Sequence, residues 1–137
     1  MGDVALIIFH EDKKHFSPVV YLHWAGGRVR EFLENSSKFF KTGDSSYSAA
    51  RFIGYCHTQI EGNVSLGVFN SPENTDEIYD EEFSHGDAGV FLVDVNEWEV
   101  EAFNGYGIRE IANIEDAPPT PSKMHRFQLN KSLIPTN

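Results

Sequence analysis

The middle of this sequence has no positive charge. From Phe52 to Ile108 there is not one lysine or arginine, while Glu61, Glu73, Asp76, Glu77, Asp80, Glu81, Glu82, Asp87, Asp94, Glu97, Glu99 and Glu101 supply twelve acids. Over all 137 residues, 11 basic side chains against 21 acidic ones leave a net charge of −10. A bare nucleic-acid backbone is therefore not the expected partner, because phosphate contacts need a basic face. Cysteine is almost as scarce. One residue, Cys56, excludes an intramolecular disulfide and every Cys-rich zinc scaffold, and suits a reducing cytosol. No apolar run approaches the ~20 residues that cross a bilayer. Residues 1–9 lack a basic stretch followed by a small-residue cleavage site, so no secretory signal is expected. Catalytic signatures are missing too: no H-E-x-x-H, no G-x-S-x-G, no repeated H-x-T.

What the chain does hold is apolar material for one core, at 40% hydrophobic and 13% aromatic residues, including eleven Phe. Residues 3–10 and 16–24 are β-rich and read as an antiparallel hairpin, with Pro18 confined to a strand edge or start. Gly26-Gly27 breaks the second strand, and the apolar period then becomes helical. Val29, Phe32, Leu33, Ser36, Phe39 and Phe40 form one face of a helix over 28–41, with Arg30, Glu31, Glu34, Lys38 and Lys41 on the wet side. Gly43 is placed to end that helix in the left-handed region, and Asp44 or Ser45 to cap the next. The second helix spans 44–60, with Ala49, Phe52, Ile53, Cys56 and Ile60 as its buried stripe. Three β segments follow at 64–69, 88–95 and 97–103. In the last, Trp98, Val100 and Ala102 alternate with Glu97, Glu99 and Glu101, the pattern of a strand with one wet face. An acidic loop at 70–87 has too few apolar residues to dictate an element. The expectation is an α+β domain at 1–116: an antiparallel sheet of about five to six strands packed on two consecutive helices. Residues 117–137 are a Pro-rich connector and C-terminal arm.

Two places combine a cation, an aromatic ring and glycine-exposed backbone. The first is His23-Trp24-Ala25-Gly26-Gly27-Arg28, where a strand end meets a helix start whose free N–H groups can hold an anion. The bland alternative is a core tryptophan and a plain strand-to-helix turn. The second is Asn104-Gly105-Tyr106-Gly107-Ile108-Arg109, where Tyr106 can stack on a base and Arg109 can pair with phosphate, or simply with a sheet carboxylate. Candidate ligand-binding residues are thus His23, Trp24, Gly26, Gly27, Arg28, Tyr106 and Arg109. No catalytic or metal-binding residue and no cofactor is assigned. Cys56 and His57 are neighbours on a helix and point roughly 100° apart, so they cannot form a nucleophile–base pair. Six scattered histidines have no metal-ligand spacing.

The runs Val20-Tyr21-Leu22-His23-Trp24-Ala25-Gly26, Ser46-Tyr47-Ser48-Ala49-Ala50-Arg51 and Val93-Asp94-Val95 resemble small phage and prophage proteins. Size, composition and the lack of a catalytic signature are also similar to the phage anti-Thoeris sponge proteins of the first type. The likeness touches about the first two-thirds of the chain. It implies a non-enzymatic homo-oligomer in the host cytoplasm that sequesters a cyclic nucleotide immune signal, of cyclic ADP-ribose type or a cyclic oligonucleotide. It carries over locally to His23, Gly26, Gly27 and Arg28, and to Tyr106 and Arg109. A protein of charge −10 can hold such a ligand only where the fold gathers cations, and Arg28, Arg30, Arg51 and Arg109 are the arginines before the connector. Two other readings stand beside this one. An acidic protein–protein inhibitor that mimics nucleic acid needs a continuous acidic face with the arginines elsewhere. A small hydrolase needs a histidine–acid pair beside a cleft.

Overall fold

The computed structural model describes residues 3–23, 25–59, 66–84, 87–105 and 124–136. The two runs that are apolar on both faces form the centre of the sheet. In β1 (Ala5–Glu11), Ala5, Ile7 and Phe9 point to one side and Leu6 and Ile8 to the other; in β5 (Gly89–Asp94), Phe91 and Val93 oppose Val90 and Leu92. All of these side chains are buried, which is why neither segment alternates in sequence. β1 and β5 pair in parallel, from Ala5↔Gly89 to His10↔Asp94.

The remaining pairs are antiparallel. β3 (Val19–Leu22) folds back on β1, and the short β2 (His15–Phe16) pairs with the far end of β1. Ser17-Pro18 separates β2 from β3. There the Ser17 hydroxyl accepts from the Phe9 N–H at 3.0 Å and the Ser17 N–H donates to the Phe9 carbonyl at 2.8 Å, so both backbone groups of Phe9 are satisfied beside the proline. β4 (Leu66–Phe69) lies outside β3, β6 (Glu99–Phe103) outside β5, and β7 (Met124–Gln128) outside β6. The order is β4-β3-β1-β5-β6-β7, an α+β fold with a mostly antiparallel sheet. The C-terminal segment expected to be an arm supplies β7, and Phe127, Leu129 and Ile134 join the main core.

One face of the sheet is covered by α1 (Val29–Ser36) and α2 (Ser45–Gln59). Val29, Phe32, Leu33, Ala49, Phe52 and Cys56 meet Ile7, Phe9, Phe91, Val93 and Val100 in one cluster. Gly43, at φ +84°, makes the left-handed turn between the helices, and Asp44 accepts the Tyr47 N–H at 3.0 Å to cap α2. The expected first helix differs at its end. It passes into a tighter 3-10 turn at Ser37–Phe39, which turns Ser37 and Phe40 inward and leaves Phe39 47% exposed. Phe39 is therefore not a core residue. Phe40 is, stacked on Trp98 at 5.3 Å between centroids.

The other face carries a second, smaller cluster. The acidic segment assigned no element in the sequence forms a short α3 (Thr75–Tyr79), capped by Asn74, whose side chain accepts the Glu77 N–H at 2.9 Å. Ile78 is fully buried against this face with Leu6, Ile8, Val90, Leu92 and Phe103. The Tyr79 hydroxyl donates to Glu101 at 3.0 Å. Glu101 itself is 5% exposed, held by Lys13 at 3.2 Å and the Arg126 guanidinium at 3.1 Å. Charges buried this deeply need such partners. No helix among the described residues is long and apolar enough to cross a membrane.

Candidate functional site

The first sequence-derived site is built differently from an open anion cradle. Gly26, Gly27 and Arg28 form a 3-10 turn ahead of α1. The Gly26 N–H donates to the Asp3 carbonyl at 2.8 Å and the Gly27 N–H to the Asp3 carboxylate at 3.0 Å. Asp3 is thus an internal anion on the helix start. Gly26 is needed for close approach rather than for a ligand, because a Cβ there would lie 2.6 Å from the Asp3 carbonyl. Arg28 donates to Glu31 at 2.9 Å while lying 4.7 Å from the Phe32 ring centroid. That bond raises the Arg28 pKa and lowers that of Glu31, so both stay charged and the carboxylate offsets the field of the cation beside it. His23 is half-buried with its Nδ1 2.7 Å from the Tyr21 hydroxyl. Trp24, Tyr106 and Arg109 lie outside the described residues.

Positive charge gathers elsewhere. Nine lysines and arginines fall among the described residues, and five of them have a carboxylate within 4.0 Å: Lys13, Arg28, Arg30, Arg126 and Lys131. The four without one are Lys14, Lys38, Lys41 and Arg51, and three of these four line a single cleft of about 400 Å3. Its other walls are Phe39, Phe40, Tyr47 and Pro135.

Local folding explains the gathering. The 3-10 turn expels Phe39 beside the exposed Lys38, and the reversal at Gly43 lays Lys38–Lys41 beside the first turns of α2. On α2, Tyr47, Arg51, Tyr55 and Thr58 follow at i, i+4, i+8 and i+11, on a face roughly 100° round the helix from the buried Ser48, Phe52 and Cys56. The Arg51 guanidinium donates to the Tyr47 hydroxyl at 2.8 Å and sits 4.7 Å from its ring centroid; Lys41 is 5.7 Å above the same ring. Lys38 is 5.4 Å from the Phe39 ring. These contacts orient the cations without cancelling their charge. Exposed aromatics flank them, with Phe39 at 47% and Tyr47 at 39%.

A second cleft of about 470 Å3 adjoins the first and shares Lys38, Phe39 and Arg51 with it; Ala50, Gly54, Tyr55 and Thr58 complete it. Gly54 stands inside the fifteen-residue α2, where glycine costs about 0.5–1 kcal/mol relative to alanine. A larger groove of about 630 Å3 on the opposite face has the wrong sign for an anion, since Glu77 and Glu82 line it beside Leu6, Val19, Val68 and Phe83. Cys56 is buried, and burial pushes its thiol up to about 12, so it is no nucleophile at neutral pH. Among the described residues no three His, Cys, Asp or Glu side chains gather where a metal ion could be held.

Sequence reasoning placed Lys38 and Lys41 on a wet helix face and counted Arg51 among the arginines, without joining them. The helical spacing of Tyr47, Arg51 and Tyr55 was a usable signal; the turn that brings Lys38 and Lys41 beside them was not. No protein-family model, curated protein or solved structure matches this chain.

Proposed function

We propose that this protein is a non-enzymatic binding protein that captures a small anionic nucleotide in the Lys38–Lys41–Arg51 cleft. One observation carries the reading: three of the four described cations that lack a carboxylate partner line one cleft, beside two exposed aromatic rings. Phosphate oxygens need charge-assisted donors, and a nucleobase needs a flat apolar surface. The cleft offers both, and local potential rather than net charge decides what binds there. Capture rather than turnover is the reading because the one thiol is buried and held protonated, and no other nucleophile–base pair lines the cleft.

The resemblance to phage sponge proteins gives such capture a purpose. The ligand in this reading is a cyclic nucleotide signal of host defence, of cyclic ADP-ribose type or a cyclic oligonucleotide, withdrawn from its receptor in the host cytoplasm. The protein in this reading is a homo-oligomer. The phosphate is held by Lys38, Lys41 and Arg51 rather than by Arg28, whose charge Glu31 already answers.

The test is to purify the protein from cells in which the defence pathway is signalling, denature it by heat, and identify released small molecules by mass spectrometry. The expected result is an intact cyclic nucleotide, which also stabilises the empty protein by about 2.7 kcal/mol at a hundredfold excess over Kd. An empty protein that gains no stability from any nucleotide overturns the reading. A cleaved nucleotide would instead indicate a hydrolase. Function lost on neutralising Glu77, Asp80, Glu81 and Glu82 together, with nucleotide binding absent, would indicate the acidic inhibitor.

A further inference from the structure

Gly54 has no structural reason to be glycine. It lies within α2 with ordinary helical backbone, so it is not there for a left-handed turn, and it is exposed. A Cβ built on it meets no atom within 4 Å, so it is not there for close packing either. Glycine weakens a helix interior, and among the described residues nothing offsets the loss. The missing side chain leaves open space in one place, the cleft that Gly54 lines with Phe39, Tyr55 and Thr58 and that continues past Lys38 and Arg51.

We infer that this second cleft is a base compartment. The ligand's phosphates lie against Lys38, Lys41 and Arg51, and its flat ring lies across α2 on Gly54, between the Phe39 and Tyr55 rings. The inference rests on the anion-binding reading above and narrows it to ligands that carry a nucleobase on a phosphate. Three features support it. The two clefts share Lys38, Phe39 and Arg51, so one molecule can occupy both. Lys41 lines the first cleft alone, so all three cations converge there, and the Gly54 side is left for the uncharged half. Phe39 is an exposed ring on the shared wall, expelled from the core by the 3-10 turn, and available to stack. A side chain at position 54 would occupy the helix surface on which the ring lies. Gly54 thus sets specificity: it admits a planar base without touching the phosphate.

The experiment compares wild type with Gly54→Leu by calorimetric titration, using ADP, GDP, CDP and UDP against inorganic pyrophosphate. Leucine is a strong helix former, so the variant should melt a few degrees above wild type. Wild type should bind at least one nucleoside diphosphate more tightly than pyrophosphate by about 5- to 150-fold, the range of one base–aromatic stack. Gly54→Leu should lose that advantage and bind pyrophosphate within about twofold of wild type. If Gly54→Leu binds the preferred nucleoside diphosphate as well as wild type does, the base compartment is wrong and the anion site stands. If wild type binds pyrophosphate and every nucleoside diphosphate equally, the compartment is likewise wrong. If wild type binds none of the five, the anion-binding reading falls and this inference with it.

Discussion

Arg28 and Arg51 are alike in nearly every local respect. Each is an arginine at a helix surface, and each guanidinium carbon lies 4.7 Å from the centroid of a neighbouring ring, Phe32 for one and Tyr47 for the other. Each donates one short side-chain hydrogen bond. The Arg28 acceptor is the Glu31 carboxylate at 2.9 Å, and the Arg51 acceptor is the Tyr47 hydroxyl at 2.8 Å. That single difference separates them. A carboxylate cancels the charge it orients, whereas a hydroxyl orients the charge and leaves it whole. Around Arg28 the backbone donors are also taken, by Asp3. Around Arg51 two further lysines without carboxylate partners add to the field. In a protein of charge −10, where the cations are matters less than which of them are already answered.

The contrast can be broken at several strengths. The largest effect belongs to the pair Phe39 and Phe40, which share a turn but not an environment. Phe40→Ala opens a hole against Phe9 and Trp98 and should cost about 3–5 kcal/mol in urea unfolding. Phe39→Ala should cost under about 1 kcal/mol and instead weaken nucleotide binding, since its exposed ring serves the ligand and not the core. Equal stability losses would show Phe39 to be core. Next comes Lys38→Ala combined with Arg51→Ala. Two charge-assisted contacts of about 1.5–3 kcal/mol each are removed, so nucleotide affinity should fall at least about 150-fold, with folding unchanged. A drop below tenfold would place the phosphate elsewhere.

The smallest effect lies on the far face, among the charges spent on Glu101. Burial lowers the pKa of His10 from its ordinary 6.5, outweighing the pull of Asp94 and Glu101, and the ring accepts the Lys13 N–H at Nδ1. Protonation therefore favours the unfolded chain, where the pKa is higher. The neutral ring's contribution to stability is complete above about pH 6.5 and is lost as pH falls through the window below it. Urea melts at pH 7.5 and 5.5 should show a smaller acid loss for His10→Asn, which keeps an acceptor without a titrating ring. An unchanged loss would assign the acid sensitivity to the carboxylates.

Much of the fold was legible because local pattern and burial agree. The change of period at Gly26-Gly27, the left-handed turn at Gly43 and the cap at Asp44 follow from residue chemistry that neighbours do not alter. Strand order did not follow. Runs such as Leu6–Phe9 and Val90–Val93 reveal burial on both faces, but not that they lie side by side in parallel. α3 was missed because only Ile78, fully buried, and Tyr79, partly buried against Phe103, hold a helix whose other residues are polar. The site was the least legible part. Gly26-Gly27-Arg28 has the right residue types; Glu31 at i+3 from Arg28 was a local signal, but only tertiary contact shows that Asp3 occupies the backbone donors. Lys38, Lys41 and Arg51 are spread over fourteen positions of sequence and meet because the reversal at Gly43 lays the end of the first helix beside α2.

The most direct test sets the two arginines side by side. Calorimetric titration of Arg28→Ala and Arg51→Ala with the nucleotide that wild type binds best isolates the difference between an answered and an unanswered charge. Arg51→Ala should lose about 10- to 150-fold in affinity, the value of one charge-assisted contact, and Arg28→Ala should stay within about twofold of wild type. The reverse order, with Arg28→Ala impaired and Arg51→Ala intact, would contradict the assignment of the cleft and return the anion to the Gly26-Gly27 turn.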